Sequence, residues 1–395
     1  MVEPPGDGAA PVDGVAEALG TALEEALGNG FEDGFEGTAA ALLAVGSVVG
    51  VLVVAVLEQA AVVASAVSGT RVAAARARRR TPVTIGARGD GRGRVETGRV
   101  VYLPPLRHPR VTWGPWSTDF SRRVLVMGIV NRTPDSFFDA GRTYGLERAV
   151  DAVLAAAGAG ADWVDVGGVP FSPDAADVSV AEEVDRVVPV VAGATARSDV
   201  VLSVDTYRPE VARRAIAAGA LVVNDTTGLR DPELADVVAE TGAGVVITHS
   251  LAAPRTHLRR PRYDDVVDEV KAHLAERVQA ACDRGVAEDR IVIDPGHDLN
   301  KNTRHSLELT RRLPEIADLG LPLLAAVSNK DFVGESTGLP KPERLAPSLA
   351  AASACVLGGA RLLRMHDVAA SVAAARVLEA VLGLREPEGL RHNVD

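Results

Sequence analysis

The sequence predicts an α/β chain whose main part, residues 124–383, is a (β/α)8 barrel. An N-terminal extension with a candidate transmembrane helix precedes it. Two observations carry this. Eight short apolar runs alternate with eight helical patterns over about 260 residues, the number of units a closed barrel needs. Almost every apolar run also ends in a polar cluster, and barrel sites lie on that C-terminal rim. An open doubly wound sheet could share the alternation but does not ask for polar residues after every strand.

Residues 1–37 hold nine carboxylates, from Glu3 to Glu36, and no basic side chain; they read as an acidic disordered segment. Thr38 to Leu57 then runs uncharged through TAAALLAVGSVVGVLVVAVL, the core of a candidate membrane helix over 38–68. Twenty helical residues reach across roughly 30 Å of hydrocarbon. The flank that follows is basic, with Arg71, Arg76, Arg78, Arg79 and Arg80, which puts the folded part in the cytoplasm. A surface helix and an over-extended gene start are the competing readings. Residues 69–123 read as a basic linker that becomes an edge segment near Val100 to Leu103, and 384–395 as a tail.

The strands are expected at 124–130, 163–166, 200–204, 221–223, 244–248, 290–293, 322–327 and 361–363. The helices between them are expected at Leu146–Ala159, Val180–Ala196, Pro209–Ala218, Pro232–Thr241, Val266–Arg284, Ser306–Leu319, Pro342–Leu357 and Val368–Leu382. A net charge of −11 disfavours a nucleic-acid partner. Cys282 and Cys355 lack metal spacing and read as reduced thiols.

The groups after the strands are Asn131 and Asp135, Asp165-Val166-Gly167-Gly168, Asp205, Asn224-Asp225, His249, Asp294 to Lys301, Ser328-Asn329-Lys330, and Arg364-Met365-His366-Asp367. Any one of them could cap a helix. Together, Asp205, Asn224 and Asp294 suit a ligand edge with several N–H donors, such as the aminopyrimidinone edge of a pterin. Arg364 and His366 beside Asn131 form a cationic, oxygen-seeking cluster that suits a phosphorylated tail, and an amide oxygen suits Mg²⁺. Lys330 bridges the two halves, next to a helix whose N-terminus points into the mouth. His249 reads equally well as a structural histidine.

Asn131-Arg132-Thr133-Pro134-Asp135-Ser136-Phe137, with the order of the later groups, resembles the dihydropteroate synthase family over about two thirds of the chain. The resemblance implies a transferase of folate synthesis that condenses hydroxymethyl-dihydropterin diphosphate with 4-aminobenzoate and releases diphosphate. It implies that Asp205, Asn224, Asp294 and Lys330 hold the pterin. Asn131 would hold Mg²⁺ and the diphosphate with Arg364 and His366; Asp205, Lys330, Arg364 and His366 would serve catalysis. Members are often homodimers through barrel helices.

The departures fall on the second substrate. The family continues Asp-Val-Gly-Gly with Glu-Ser-Thr-Arg-Pro-Gly; this chain has Val169-Pro170-Phe171-Ser172-Pro173-Asp174. Family Ser-Arg-Lys-Ser becomes Ser328-Asn329-Lys330-Asp331, and a phenylalanine after Asp-Pro-Gly becomes Leu299. Phe171, Ser172, Asn329 and Asp331 thus mark an altered subsite. Asp331 is expected to put the chain's own charge where a serine receives the benzoate carboxylate. Arg132 offers a cation near the diphosphate. The combination resembles an actinobacterial branch of second, inactive or weakly active dihydropteroate synthases, so a pterin-binding paralogue is the alternative. A pterin-dependent methyltransferase shares the barrel, but would have no diphosphate for Arg364 and His366 to hold.

Overall fold

A computed structural model describes residues 103, 105–133, 145–170, 175–254, 256 and 258–392. The acidic segment, the candidate membrane helix, Asp135, Phe171 and Ser172 lie outside these residues. Among the described residues no helix is long and apolar enough to cross a membrane.

The chain opens with a hairpin of β1 (Arg110–Trp113) and β2 (Trp116–Asp119). Eight parallel strands follow: β3 (Leu125–Asn131), β4 (Trp163–Gly167), β5 (Val201–Asp205), β6 (Val222–Asp225), β7 (Gly244–Thr248), β8 (Ile291–Asp294), β9 (Leu324–Ala325) and β10 (Leu362–Met365). Their order is β8-β7-β6-β5-β4-β3-β10-β9, and the bridge Ile293–Leu323 joins the two ends into a ring. The intervening helices are α1 (Leu146–Gly158), α2 (Val180–Thr195), α3 (Pro209–Ala217), α4 (Pro232–Thr241) and α5 (Val266–Asp283). After them come α6 (Thr303–Arg311), α7 (Leu313–Ala317), α8 (Asp331–Thr337), α9 (Leu345–Leu357) and α10 (Val368–Val381). The sequence-based barrel is correct, strand by strand.

Three elements differ from expectation. The single helix expected over Ser306–Leu319 is two, α6 and α7. Pro314 has no N–H for the carbonyl four residues back, and Arg312 turns between the helices at φ −104°, ψ 19°. A short helix, α8, precedes α9 and ends at Gly338 with φ +71°. The edge segment near Val100–Leu103 is not a strand at Leu103, and residues 100–102 lie outside the described residues. The ordered lead-in is instead the β1–β2 hairpin.

Alternation along each strand divides the core in two. Val126, Val164, Val204, Val223, Val245 and Ile293 face the helices. Leu125, Met127, Trp163, Val201, Val222, Val246, Val292, Leu324 and Leu362 form a second, inner cluster with Val111, Trp113 and Phe120 from the hairpin segment. The hairpin therefore plugs the N-terminal end of the barrel. Trp113 packs against Trp163 with ring centres 5.5 Å apart and planes tilted by 51°, and its indole N–H donates to the Asp289 carbonyl at 3.0 Å. Gly244 is required there, because a Cβ would sit 2.6 Å from the Trp113 ring.

The same alternation builds the rim. Asn131, Gly167, Asp205 and Asn224 pair in one register across β3 to β6. One layer below, Ile129, Asp165 and Ser203 are paired.

Candidate functional site

The C-terminal mouth opens into a cavity of about 610 Å³. Asn131, Asp205, Asn224, Asp294, Asn329, Lys330, Arg364 and His366 all line it. Eight residues expected from sequence, drawn from six strands and the loops after them, thus converge.

Arg364 is the hub. Its Nε donates to Asp165 Oδ2 at 2.7 Å and its Nη2 to Asp205 Oδ2 at 3.0 Å. Asn224 Nδ2 donates to the same Asp165 oxygen at 2.8 Å. Burial disfavours the Arg364 charge, but Asp165 and Asp205 more than restore it, and its pKa stands above the ordinary value. Sequence reasoning puts Asp165 in the polar group of its strand but gives it no role in the site. Its side chain is 0% exposed, and Oδ1 has no hydrogen-bond partner among the described residues. The available signal is parity: Asp165 shares the inward face of β4 with Trp163, so its charge enters the barrel.

Asp205 is pushed up to about 7 by burial, then by the Asp165 charge, against the pull of Arg364. Asp294, also raised by burial, accepts from the Gly296 N–H at 2.7 Å. Burial lowers Lys330, while Asp298 and Asp294 support its charge. His366 is held down to about 3, by burial first and by Arg364 and Lys330 next. It is therefore a neutral imidazole near pH 7, with Nδ1 3.0 Å from Ser328 Oγ. This corrects the expectation of two cations beside Asn131, since Arg364 alone of that pair is charged.

Asn131 lies at the end of β3, facing Gly167, where a Cβ would come within 2.8 Å of Asn131 Oδ1. Among the described residues no group of three His, Cys, Asp or Glu could hold a metal ion. An amide oxygen such as that of Asn131 is a ligand type Mg²⁺ accepts alongside phosphate and water oxygens.

His249 is structural. It is 1% exposed, and its Nδ1 accepts from Lys301 Nζ at 2.8 Å. Burial and Lys301 push its pKa down to about 2. Lys301 Nζ also donates to the Gly296 and Leu299 carbonyls, with the His249 carbonyl at 3.5 Å. Arg132 Nη1 donates to the Asp185 and Arg186 carbonyls of α2. Asp367 caps α10 through the Ala370 N–H.

The altered subsite is partly described. Asn329 lines the cavity in left-handed backbone, φ +59°. Asp331 is the first residue of α8 and puts an acidic side chain in its first turn, as expected. That side chain is 76% exposed and lies 3.4 Å from Arg344 Nη1. The carboxylate that accepts the N–H groups there is a second one, Asp298, whose Oδ2 accepts from the Asp331 N–H at 2.6 Å and the Phe332 N–H at 3.2 Å. In the sequence Asp298 is legible only as a loop residue, because its partners lie 33 and 34 residues away.

Residues 127–366 match the family model described as pterin binding enzyme. Inactive dihydropteroate synthase 2 of Mycobacterium tuberculosis is 44% identical over 271 residues, covering 67% of this chain and 85% of that protein. Dihydropteroate synthase of Escherichia coli is 41% identical over 261 residues, covering 66% and 93%. The solved structure of Xanthomonas albilineans dihydropteroate synthase with 4-aminobenzoic acid is 43% identical, with a TM-score of 0.64 over 69% of this chain and 98% of that one. A buried Arg–Asp–Asn network under a rim of inward carboxylates, on a barrel that matches these proteins over nearly their whole length, places the chain in the pterin-binding enzyme family.

Proposed function

We propose that the barrel is a dihydropteroate synthase-type transferase. Diphosphate leaves the methylene of a hydroxymethyl-dihydropterin diphosphate, and an arylamine nitrogen takes its place. Two solved structures of relatives, from Xanthomonas albilineans and Thermus thermophilus, hold 4-aminobenzoate, which supports it as the amine. The observation that carries the reading is the meeting of Asp205, Asn224, Asp294, Lys330 and Arg364 around one cavity.

Asp205, Asn224 and Asp294 accept and donate to the edge of the pterin, and Lys330 meets its carbonyl side. Arg364 has two nitrogens bound to carboxylates, which aims the rest of its fork; with Lys330 it neutralises charge building on the departing diphosphate. Neutral His366 hydrogen-bonds a diphosphate oxygen. Mg²⁺, when bound at Asn131 with the diphosphate, supplies Lewis-acid help to the leaving group. The carboxylates facing the cavity favour positive charge developing at the pterin methylene.

Calorimetric titration with hydroxymethyl-dihydropterin diphosphate and Mg²⁺, followed by 4-aminobenzoate, tests this. Pterin binding followed by diphosphate release on adding the amine supports it; no pterin binding refutes it. The second reading, a pterin-binding paralogue without synthase activity, is favoured by the Asp298 carboxylate at α8. Pterin binding with no release would select it.

Asp205 adds a pH test. Its carboxyl titrates at about 7 in the folded chain, above the ordinary 3.8, so ionising it costs stability as pH rises through about 7. A ligand edge that donates N–H bonds selects the ionised form. Pterin affinity is therefore expected to climb between about pH 6 and 8, with proton release on binding near pH 7. Asp205→Asn should weaken binding and flatten that limb; a limb that survives in the variant belongs to another group.

A further inference from the structure

The mouth of the barrel is built in tiers. Asn131, Gly167, Asp205 and Asn224 share one register across β3 to β6. Two positions further along the chain from each of them stand Thr133, Val169, Tyr207 and Thr226, and all four line the cavity. The period of two that aims Asp205 inward thus carries one step past the strand ends. It sets a second, upper tier over the polar one.

Tyr207 differs in kind from the rest of that tier. Among the described residues lining the cavity it has the one benzene ring. It is half-buried, and the guanidinium carbon of Arg208 lies 5.4 Å from its ring centre. Arg208 is itself anchored. Its Nη1 donates to Glu183 Oε2 at 2.8 Å, its Nη2 to the Val178 carbonyl at 2.7 Å, and its backbone N–H to Thr206 Oγ1 at 3.2 Å. The Glu183 side chain is wholly buried, so the anchor belongs to the packed wall. A cation over one part of the ring leaves the remainder to the cavity. It also draws π density away, which favours contact with an electron-rich aromatic partner.

The tiers separate two ligands. The transferase reading gives Asp205 and Asn224, with Asp294, to the edge of the pterin. Below that layer the inner apolar cluster fills the barrel. A second molecule that must reach the pterin methylene therefore comes from above and meets the upper tier. Thr133 and Thr226 offer hydroxyls there and Val169 a small apolar chain, so a ring contact comes from Tyr207.

We propose that Tyr207 is a specificity-determining residue that seats the aromatic ring of the acceptor. This rests on the transferase reading above and names the residue that makes its acceptor an aryl compound.

The test uses the full chain with a pterin, inorganic diphosphate and Mg²⁺ bound, titrated with 4-aminobenzoate and, separately, 4-aminobenzamide. The tighter arylamine is carried into the variants. Tyr207→Ala is expected to weaken it about tenfold, the loss of one aromatic contact and the area it buries. Tyr207→Phe keeps the ring and should bind within about twofold of the unaltered chain. Tyr207→Leu keeps apolar volume without a π face and should fall between them; it gives the same comparison if alanine unfolds the chain. Pterin affinity should stay within about twofold in every variant. Unchanged arylamine affinity in Tyr207→Ala and Tyr207→Leu, no arylamine binding by the unaltered chain, or a pterin affinity that falls as far as the arylamine's overturns the proposal. Failure of the unaltered chain to bind the pterin would instead overturn the transferase reading beneath it.

Discussion

Replacing Arg364 with methionine is expected to cost about 3–5 kcal/mol of folding stability and to abolish binding of a pterin diphosphate. The guanidinium lies between two carboxylates, and Asp165 is wholly buried. Removing the cation leaves the Asp165 charge to Asn224 Nδ2 alone, in a place water does not reach. Lysine would fare little better, because one ammonium cannot serve Asp165 and Asp205 with a planar fork. Thermal and denaturant unfolding of Arg364→Met and of Arg364→Met with Asp165→Asn would measure the effect. The second change removes the stranded charge and should return most of the stability, but not the binding. If the single variant loses under about 1 kcal/mol, the network is a surface ion pair in disguise, with the weak energetics of one. If the double variant regains binding, Arg364 has no part in holding the ligand.

Trp113→Ala is expected to cost about 3–5 kcal/mol, the range for truncating a buried large aromatic, and to lower the melting temperature by roughly 10 °C. Trp113 is 1% exposed, packs against Trp116 and Trp163, and fills the space that Gly244 leaves open. Its loss empties the lowest layer of the barrel and removes the hydrogen bond to the Asp289 carbonyl. Ligand affinity at the mouth should stay unchanged where the variant is still folded, since the plug and the rim occupy opposite strand ends. Trp113→Phe should recover about half of the loss by refilling volume without the N–H donor. A chain starting at residue 124, which lacks the hairpin, should be less stable than Trp113→Ala; equal stability would show that the hairpin adds nothing beyond one indole.

Several parts of the site are legible in the sequence because alternation along a strand is a local property. Val124 to Val130 ends at Asn131, Val201 to Val204 at Asp205, and Ile291 to Ile293 at Asp294; in each, the first polar residue after the run reaches the rim. Sequence reasoning fails where chemistry depends on distant partners. Asp165 reads as one polar residue inside a strand, and nothing local shows that its partner lies 199 residues away. His366 reads as a cation, but the burial and neighbouring charges that keep it neutral exist only in the assembled mouth. Asp331 reads as the charge at the start of α8, but nothing local shows that a second carboxylate, Asp298, crosses from another loop to cap the helix.

By itself the sequence determined the eight strand-and-helix units, which face of each strand is apolar, and which polar residues reach the C-terminal rim. These follow from periods of two and 3.6 residues and from where apolar runs stop, which are properties of neighbouring residues. The tertiary structure alone decided that a hairpin plugs the barrel, that Arg364 is shared by two carboxylates, and that Asp298 caps the start of α8. Those depend on strand register, ring closure and burial, which bring together residues that no local period relates.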